Sequence, residues 1–123
     1  PLSFDVNGPW PERRYDAVFS ANTLHIMGWP EVERLFAGLP AILAPDAKPV
    51  IYGPFNVGGR HTSEGNASFD ASLRAASPHR GLRDVEAVDA LARHAGLHLV
   101  EDRAMPANNR CLVWRRPATA AAG

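Results

Sequence analysis

Polar side chains that could do chemistry follow three short apolar segments of this 123-residue chain. Asp5 comes at the end of the first segment, Asn22 and His25 follow the second, and Tyr52 to Asn56 close the third. In open α/β sheets, ligands bind in the crevice beyond the carboxyl ends of the strands. If the three segments are parallel strands, these groups share one ligand-binding edge. The imidazole of His25 could serve there as a general base, since the ordinary pKa of histidine is about 6.5.

A purely structural role is the alternative for each of these side chains. Asn22 and His25 could simply cap the turn into the next helix, and Asp5 could cap a turn at Gly8. Short polar side chains commonly hydrogen-bond to nearby backbone in such turns. The residue types alone therefore leave both roles open.

The elements that must position these groups alternate between strand and helix patterns. The apolar run at 15–21 is typical of a strand buried on both faces of a parallel sheet. Apolar residues recur at helical spacing over 32–39, 69–73 and 85–92, where Pro40 should kink or end the first helix and Gly96 should stop the last. The full set of predicted strands is 2–6, 15–21, 50–52, 97–100 and 111–114. This order predicts an α/β fold with a largely parallel sheet and a hairpin-like finish.

Charge and composition exclude several classes of protein. Thirteen Lys and Arg residues balance thirteen Asp and Glu residues, so no net charge draws the chain to nucleic acids or anionic membranes. No apolar run approaches the roughly 18–20 residues of a membrane span, and the P-loop, G-x-S-x-G and H-E-x-x-H motifs are absent. Only His94 and His98 have metal-ligand spacing, and His98 falls past the predicted helix, so we predict no metal. Cys111 is the only cysteine, which excludes an intrachain disulfide and fits a cytoplasmic protein.

Four blocks of sequence carry a family resemblance. They are YDAVFSANTLHIM at 15–27, YGPFN at 52–56 with Arg60 and TSE at 62–64, GLRDVE at 81–86, and EDRAMPANNRCLVW at 101–114. Together they resemble the DUF938 family, the methyltransferase-like 26 proteins, within the class I S-adenosylmethionine-dependent methyltransferase fold. The resemblance covers nearly the whole chain, and YGPFN with MPANN is its most specific part.

The resemblance implies the C-terminal portion of a Rossmann-like sheet. The strand order of the whole fold is 3-2-1-4-5-7-6, with strand 7 antiparallel. Leu2–Val6 would be the end of strand 3, followed by strand 4 at 15–21, strand 5 at 50–52, strand 6 at 97–100 and strand 7 at 111–114. We expect residues 1–117 to form this partial domain and the Ala-rich tail 118–123 to be disordered.

The resemblance also implies roles for individual residues. Asp5 would contact the adenine amino group of S-adenosylmethionine, and Asn22, Leu24 and His25 would line its methionine part, with His25 as the candidate catalytic base. The expected acceptor pocket comprises Tyr52, Phe55, Asn56, Arg60, Asn108 and Asn109. The implied activity is methyl transfer to a small-molecule acceptor and not to nucleic acid.

Two parts of the implied cofactor site are absent from this sequence: the glycine-rich loop after strand 1 and the acidic residue after strand 2. Without strands 1 and 2, strand 4 would form an exposed edge that is prone to aggregation. We therefore expect a longer polypeptide, or a second chain or second copy that covers strand 4, and we expect these 123 residues alone to be inactive. The alternative is a non-catalytic methyltransferase-fold module that binds a protein partner through this edge.

Overall fold

One mixed sheet with helices packed on it organises the computed structural model, which describes residues 6–117. The helices are α1 (Trp29–Ile42), α2 (Glu64–Ala76) and α3 (Val85–His94). The strands are β1 (Tyr15–Ala21), β2 (Leu43–Asn56), β3 (Arg83–Asp84), β4 (His98–Met105) and β5 (Asn109–Arg115). Asp5 and the tail 118–123 lie outside the described residues, so the roles predicted for them stay predictions.

The order of the main strands across the sheet is β1-β2-β5-β4, and the two-residue β3 pairs with the end of β2. β1 and β2 are parallel, whereas β5 runs antiparallel to both of its neighbours, β2 and β4. This is the order 4-5-7-6 with strand 7 antiparallel that the sequence predicted, so the expected fold class is confirmed.

The core lies where α1 and α3 pack against one face of the sheet. Trp114 and Leu112 of β5 and Val88 of α3 are all fully buried. Phe36 of α1 meets Trp114 edge to face with the ring centroids 5.6 Å apart. The indole Nε1 of Trp114 donates a hydrogen bond to Asp89 Oδ1 at 3.0 Å. Because each large apolar side chain contributes about 1.5–3 kcal/mol when fully buried, these contacts hold the helices in place.

Helix α1 continues for two residues beyond Pro40, where the sequence predicted a kink or an end. The last carbonyls at the carboxyl end of a helix have no partners within the helix, and here they are hydrogen-bonded from outside it. Arg14 donates to the carbonyl of Leu43 at 2.8 Å, and Arg116 donates to the carbonyl of Pro40 at 2.8 Å and also to that of Leu43. Two guanidinium groups from distant parts of the chain thus complete the helix end.

Strand β2 is much longer than the three residues predicted at 50–52. It spans 14 residues and includes Gly53 and Pro54, which lie beyond the end of the predicted strand. Proline's fixed φ is compatible with extended backbone, so it can lie within a strand where its missing N–H is not required. The extension carries the polar end of β2 to Asn56, four residues beyond Tyr52.

Among the described residues, β1 pairs with β2 alone and leaves its other edge open. Phe19 in the middle of β1 has 67% of its surface exposed, and Val100 on β4 has 55%. The prediction that residues 15–21 form a strand buried on both faces is therefore wrong, because no residue of β1 is buried. The open edge expected for strand 4 is present among the described residues.

Candidate functional site

The turn after β1 brings Asn22 beside the end of β2. Asn22 adopts a left-handed conformation with φ of 57°, and its N–H donates to the carbonyl of Tyr52 at 2.8 Å. A Cβ placed on Gly53 would lie 3.6 Å from Asn22 Oδ1, which is ordinary van der Waals contact, so the two turns pack closely without a clash. The hydroxyls of Ser20 and Thr23 are also hydrogen-bonded to each other. The exposed Asn22 carboxamide thus stands at the carboxyl edge of two parallel strands.

His25 lies buried directly behind this edge. Only 7% of its surface is exposed, and its ring meets Phe69 of α2 edge to face with the centroids 5.4 Å apart. Its carbonyl accepts a hydrogen bond from the N–H of Gly81 at 3.0 Å. Burial lowers the pKa of the His25 imidazole, and the nearby Arg83 guanidinium lowers this pKa further. The ring is therefore neutral at neutral pH and can accept a proton.

Arg83 fixes the turn that carries His25. Its Nη2 donates to the carbonyl of Met27 at 2.7 Å and to that of His79 at 2.8 Å. Its Nε is 3.5 Å from the carbonyl of Leu24, and its guanidinium stacks over the Trp29 ring at 5.6 Å. The side chain of Leu24 itself lies in the core, with 3% exposed. Arg83 was not among the predicted site residues, although it lies within the GLRDVE block.

The end of β2 carries a buried amide with one unsatisfied atom. Asn56 has 9% of its surface exposed and lies opposite Asp84 of β3. Its Nδ2 is 3.5 Å from the carbonyl of Leu82, while its Oδ1 has no hydrogen-bond partner within the described residues. Of the other residues predicted here, Phe55 is buried in the core and Tyr52 is half-buried.

A tight hairpin follows Asn56. Val57 and Arg60 exchange both backbone hydrogen bonds, at 3.0 and 3.1 Å. Between them, Gly58 and Gly59 have φ of 60° and 75°, the two positive values that a two-residue hairpin turn requires. The N–H of Gly58 donates to Glu86 Oε1 at 2.9 Å, which ties the turn to α3. The predicted pocket residue Arg60 is exposed on this hairpin.

A charged cluster centred on Asp70 of α2 lies next to the hairpin. Its buried carboxylate accepts hydrogen bonds from His61 Nε2 at 2.8 Å, Arg74 Nε at 3.0 Å and the N–H of Leu82 at 3.0 Å. Burial by itself raises the pKa of Asp70, but the hydrogen bonds from His61 and Leu82 and the charge of Arg74 outweigh it and lower this pKa. Sequence reasoning missed the cluster, because His61 and Asp70 are nine residues apart and match no motif.

The turn between β4 and β5 approaches the start of α2. Asn108 has φ of 58°, and its carbonyl accepts from Asn66 Nδ2 at 3.2 Å. The same Nδ2 also contacts Thr62 Oγ1 at 3.1 Å. The side chain of Asn109 donates within its own turn, to the carbonyl of Pro106 at 3.3 Å. The predicted residues Asn108 and Asn109 therefore shape this turn, and Asn108 ties it to α2.

Two consecutive residues link the backbone of His25 to the side chain of Asn56. Gly81 donates to the carbonyl of His25, while the carbonyl of Leu82 accepts from Asn56 and its N–H donates to Asp70. Arg60 and Asn109 make no hydrogen bond to this network within residues 6–117. In the same part of the chain, no group of three or more His, Cys, Asp or Glu side chains could hold a metal ion. None of the described helices is long and apolar enough to cross a membrane.

A family model described as a protein of unknown function, DUF938, matches residues 1–116 of the chain. The chain belongs to the DUF938 family. The predicted family is thereby confirmed.

Solved methyltransferase structures have the same fold as this DUF938 chain. An O-methyltransferase family protein from Burkholderia thailandensis is 19% identical with a TM-score of 0.75, and covers 87% of this chain and 32% of its own. An O-methyltransferase family 2 protein from Planctomyces limnophilus, in complex with apigenin, is 17% identical with a TM-score of 0.80. The match covers 93% of this chain and 33% of that protein. Human N-acetylserotonin methyltransferase in complex with S-adenosylmethionine is 15% identical with a TM-score of 0.75. The match covers 95% of this chain and 33% of that protein. These likenesses show a methyltransferase-like fold, and the chain spans about a third of the length of each of these proteins.

Proposed function

We propose that this DUF938 chain is the acceptor-side portion of an S-adenosylmethionine-dependent methyltransferase that acts on a small molecule. The observation that carries the proposal is the joining of His25 and Asn56 through Gly81 and Leu82 at the carboxyl edge of two parallel strands. Ligands of open α/β sheets bind at this edge. The methyltransferase structures that share the fold, two of them named as O-methyltransferases, support this class of reaction.

The residues at the end of β1 fit the polar end of the cofactor. S-adenosylmethionine, when bound, supplies an electrophilic methyl group on a sulfonium and needs no metal to do so. The Asn22 carboxamide is exposed and makes no side-chain hydrogen bond within the described residues, so it could bind the methionine part. Leu24 would line the same part, and Asp5 would contact the adenine. The glycine-rich loop of the fold is absent from this sequence, so we propose that a longer polypeptide completes the cofactor site.

His25 would remove the proton that the acceptor must lose. Its neutral ring can accept a proton from a hydroxyl or an amine while that group attacks the methyl carbon. A positioned general base of this kind contributes typically about 10²–10⁴-fold to a rate. Contacts to Phe69 and Arg83 surround the ring and its turn, which limits the rotamers that it can adopt. The expected pocket for the rest of the acceptor comprises Tyr52, Phe55, Asn56, Arg60, Asn108 and Asn109.

Calorimetry with S-adenosylmethionine tests the proposal. We expect the complete gene product to bind the cofactor and the 123-residue chain by itself not to bind it, because the glycine-rich loop is missing from the chain. Both proteins are titrated in the same buffer, with S-adenosylhomocysteine as a second ligand. Absence of binding by both proteins would contradict the methyltransferase function and would favour the non-catalytic partner-binding module instead.

A further inference from the structure

We propose that His61 and Asn56 form the part of the pocket that binds a hydrogen-bond-donating group of the acceptor, a hydroxyl or an amine. The inference rests on the proposed function and names the chemical class of its substrate. Two hydrogen-bond acceptors that face no donor carry the argument, together with the network that joins them.

Asp70 determines which nitrogen of His61 is free. The Asp70 carboxylate can only accept hydrogen bonds, and His61 Nε2 is 2.8 Å from its Oδ2, so Nε2 carries the hydrogen. In the neutral ring, Nδ1 is then a hydrogen-bond acceptor. Nδ1 has no partner within residues 6–117, and 40% of the side chain is exposed. His61 therefore presents an oriented acceptor on a partly exposed side chain.

Asn56 offers a second acceptor whose orientation is also determined. Its amide must direct Nδ2 at the carbonyl of Leu82, since a carbonyl cannot donate, and this leaves Oδ1 without a donor in the described part of the chain. Because the residue is nine-tenths buried, water has little access to that oxygen. A buried acceptor without a donor is unfavourable, and a ligand hydroxyl or amine would remove the penalty.

The two acceptors lie at the ends of one hydrogen-bonded chain. His61 donates to Asp70, Asp70 accepts from the N–H of Leu82, and the carbonyl of Leu82 accepts from Asn56. Asn56 and His61 also immediately flank the paired Val57 and Arg60 of the hairpin, one on each strand. Both acceptors are thus held in place before a ligand arrives, which is what selective recognition of a donor requires.

Phenol and its methyl ether, anisole, test this recognition, because a methyl group replaces the hydrogen of the O–H donor in anisole. The complete gene product, labelled with ¹⁵N in histidine and asparagine, is titrated with each compound and followed by NMR. We expect phenol to shift the His61 Nδ1 and Asn56 side-chain signals, with an affinity at least about ten-fold higher than that of anisole. Equal affinities for phenol and anisole would overturn the proposal. So would a titration in which phenol shifts other signals but not those of the His61 and Asn56 side chains.

Variants separate recognition from a merely structural ion pair. We expect His61→Ala to weaken phenol binding at least about ten-fold and to leave anisole binding unchanged. Asp70→Asn should reverse the His61 tautomer, because its amide would donate to Nε2, and phenol should lose its advantage over anisole. The matched control is His79→Ala, an exposed histidine whose ring lies outside the network, and it should change neither affinity. Unchanged phenol binding in His61→Ala would overturn the proposal even if Asp70→Asn failed to fold.

Cofactor binding distinguishes a failure of this inference from a failure of the proposed function. If the protein does not bind S-adenosylmethionine but still prefers phenol through His61, the donor site stands and the methyltransferase function fails. If it binds the cofactor but shows no preference for phenol, the function stands and the donor site fails.

Discussion

At the scale of single residues, the environment of His25 determines what the candidate site can do. The ring is buried against Phe69, and both burial and Arg83 lower its pKa. Such a histidine stays unprotonated across the neutral range, which suits a general base and does not suit a permanent cation. This property comes from residues far apart in the sequence, since Phe69 is 44 positions and Arg83 is 58 positions from His25.

We expect His25→Ala in the complete gene product to lower kcat at least about 100-fold, because the acceptor loses its base. The Kd for S-adenosylmethionine should stay within about two-fold, since Asp5, Asn22 and Leu24 would still hold the cofactor. Steady-state kinetics and calorimetry measure the two quantities, with His79→Ala as the control. An unchanged rate would remove His25 from the mechanism.

The pH dependence of the same reaction gives an independent check. Because the folded pKa of His25 is lowered, the acid limb of kcat/KM should lie below about pH 6.5, the ordinary value for histidine. The free energy of unfolding depends on pH in the same direction. The contribution of the neutral His25 ring to this free energy is fully present above about pH 6.5. It is lost as the pH falls from there through the lowered folded pKa. An acid limb above pH 6.5 would contradict the assignment.

At the scale of elements, Asp70 links α2 to two loops. It binds His61 from the hairpin side and the N–H of Leu82 from the segment before β3. The cost of removing it comes mainly from Leu82, because His61 and Arg74 are 40% and 56% exposed and water can replace their contacts. The loops that carry the proposed acceptor site thus depend on one buried carboxylate.

We expect Asp70→Ala to lower the free energy of unfolding by about 1–3 kcal/mol, because the buried N–H of Leu82 is left without a partner. Urea unfolding monitored by circular dichroism measures this loss. The matched control is Asp102→Ala, which breaks an ion pair with Arg110 near the surface and should cost less than about 1 kcal/mol. Equal losses in both variants would show that Asp70 is no more important than a surface ion pair.

The contribution of Asp70 to the free energy of unfolding also depends on pH. It is present above about pH 3.8 and is lost as the pH falls through the lowered pKa of Asp70 in the folded state.

At the scale of the whole molecule, the open edge of β1 is the feature that separates this chain from a closed fold. Within the described residues, β1 has one neighbour, and Phe19 is 67% exposed. An apolar edge strand with unpaired backbone groups favours association with other chains. This chain spans about a third of the length of the neighbours of known structure.

We expect the 123-residue chain to self-associate, and Phe19→Thr to reduce this association without loss of stability. Threonine is β-branched and therefore suits a strand, and the change removes the exposed ring. Multi-angle light scattering during size exclusion measures the mass. Val57→Thr, which removes an exposed apolar side chain on the hairpin, is the control and should leave the association unchanged. A cooperatively folding monomer of the unmodified chain would contradict the prediction.

The α/β class could be predicted because it depends on local pattern, and the sheet order followed from the resemblance to the DUF938 family. The apolar run at 15–21, the helical spacing of Val32, Leu35 and Phe36, and the stop at Gly96 are all readable along the chain. The extent of β2 and the end of α1 could not be predicted from local pattern. The end of α1 is hydrogen-bonded by Arg14 and Arg116, which are distant from it in the sequence.

By itself, the sequence determined the family, the α/β class, and the placement of Asn22, His25 and Asn56 at strand ends, since these follow from motif and periodicity. Only the tertiary structure decided that His61 pairs with Asp70 and that Asn56 Oδ1 lacks a partner among the described residues. The physical reason is that hydrogen bonding and burial depend on contacts across the fold. Leu82 is hydrogen-bonded to both Asn56 and Asp70, although it lies 26 and 12 positions away from them in the sequence. No local sequence pattern predicts these contacts.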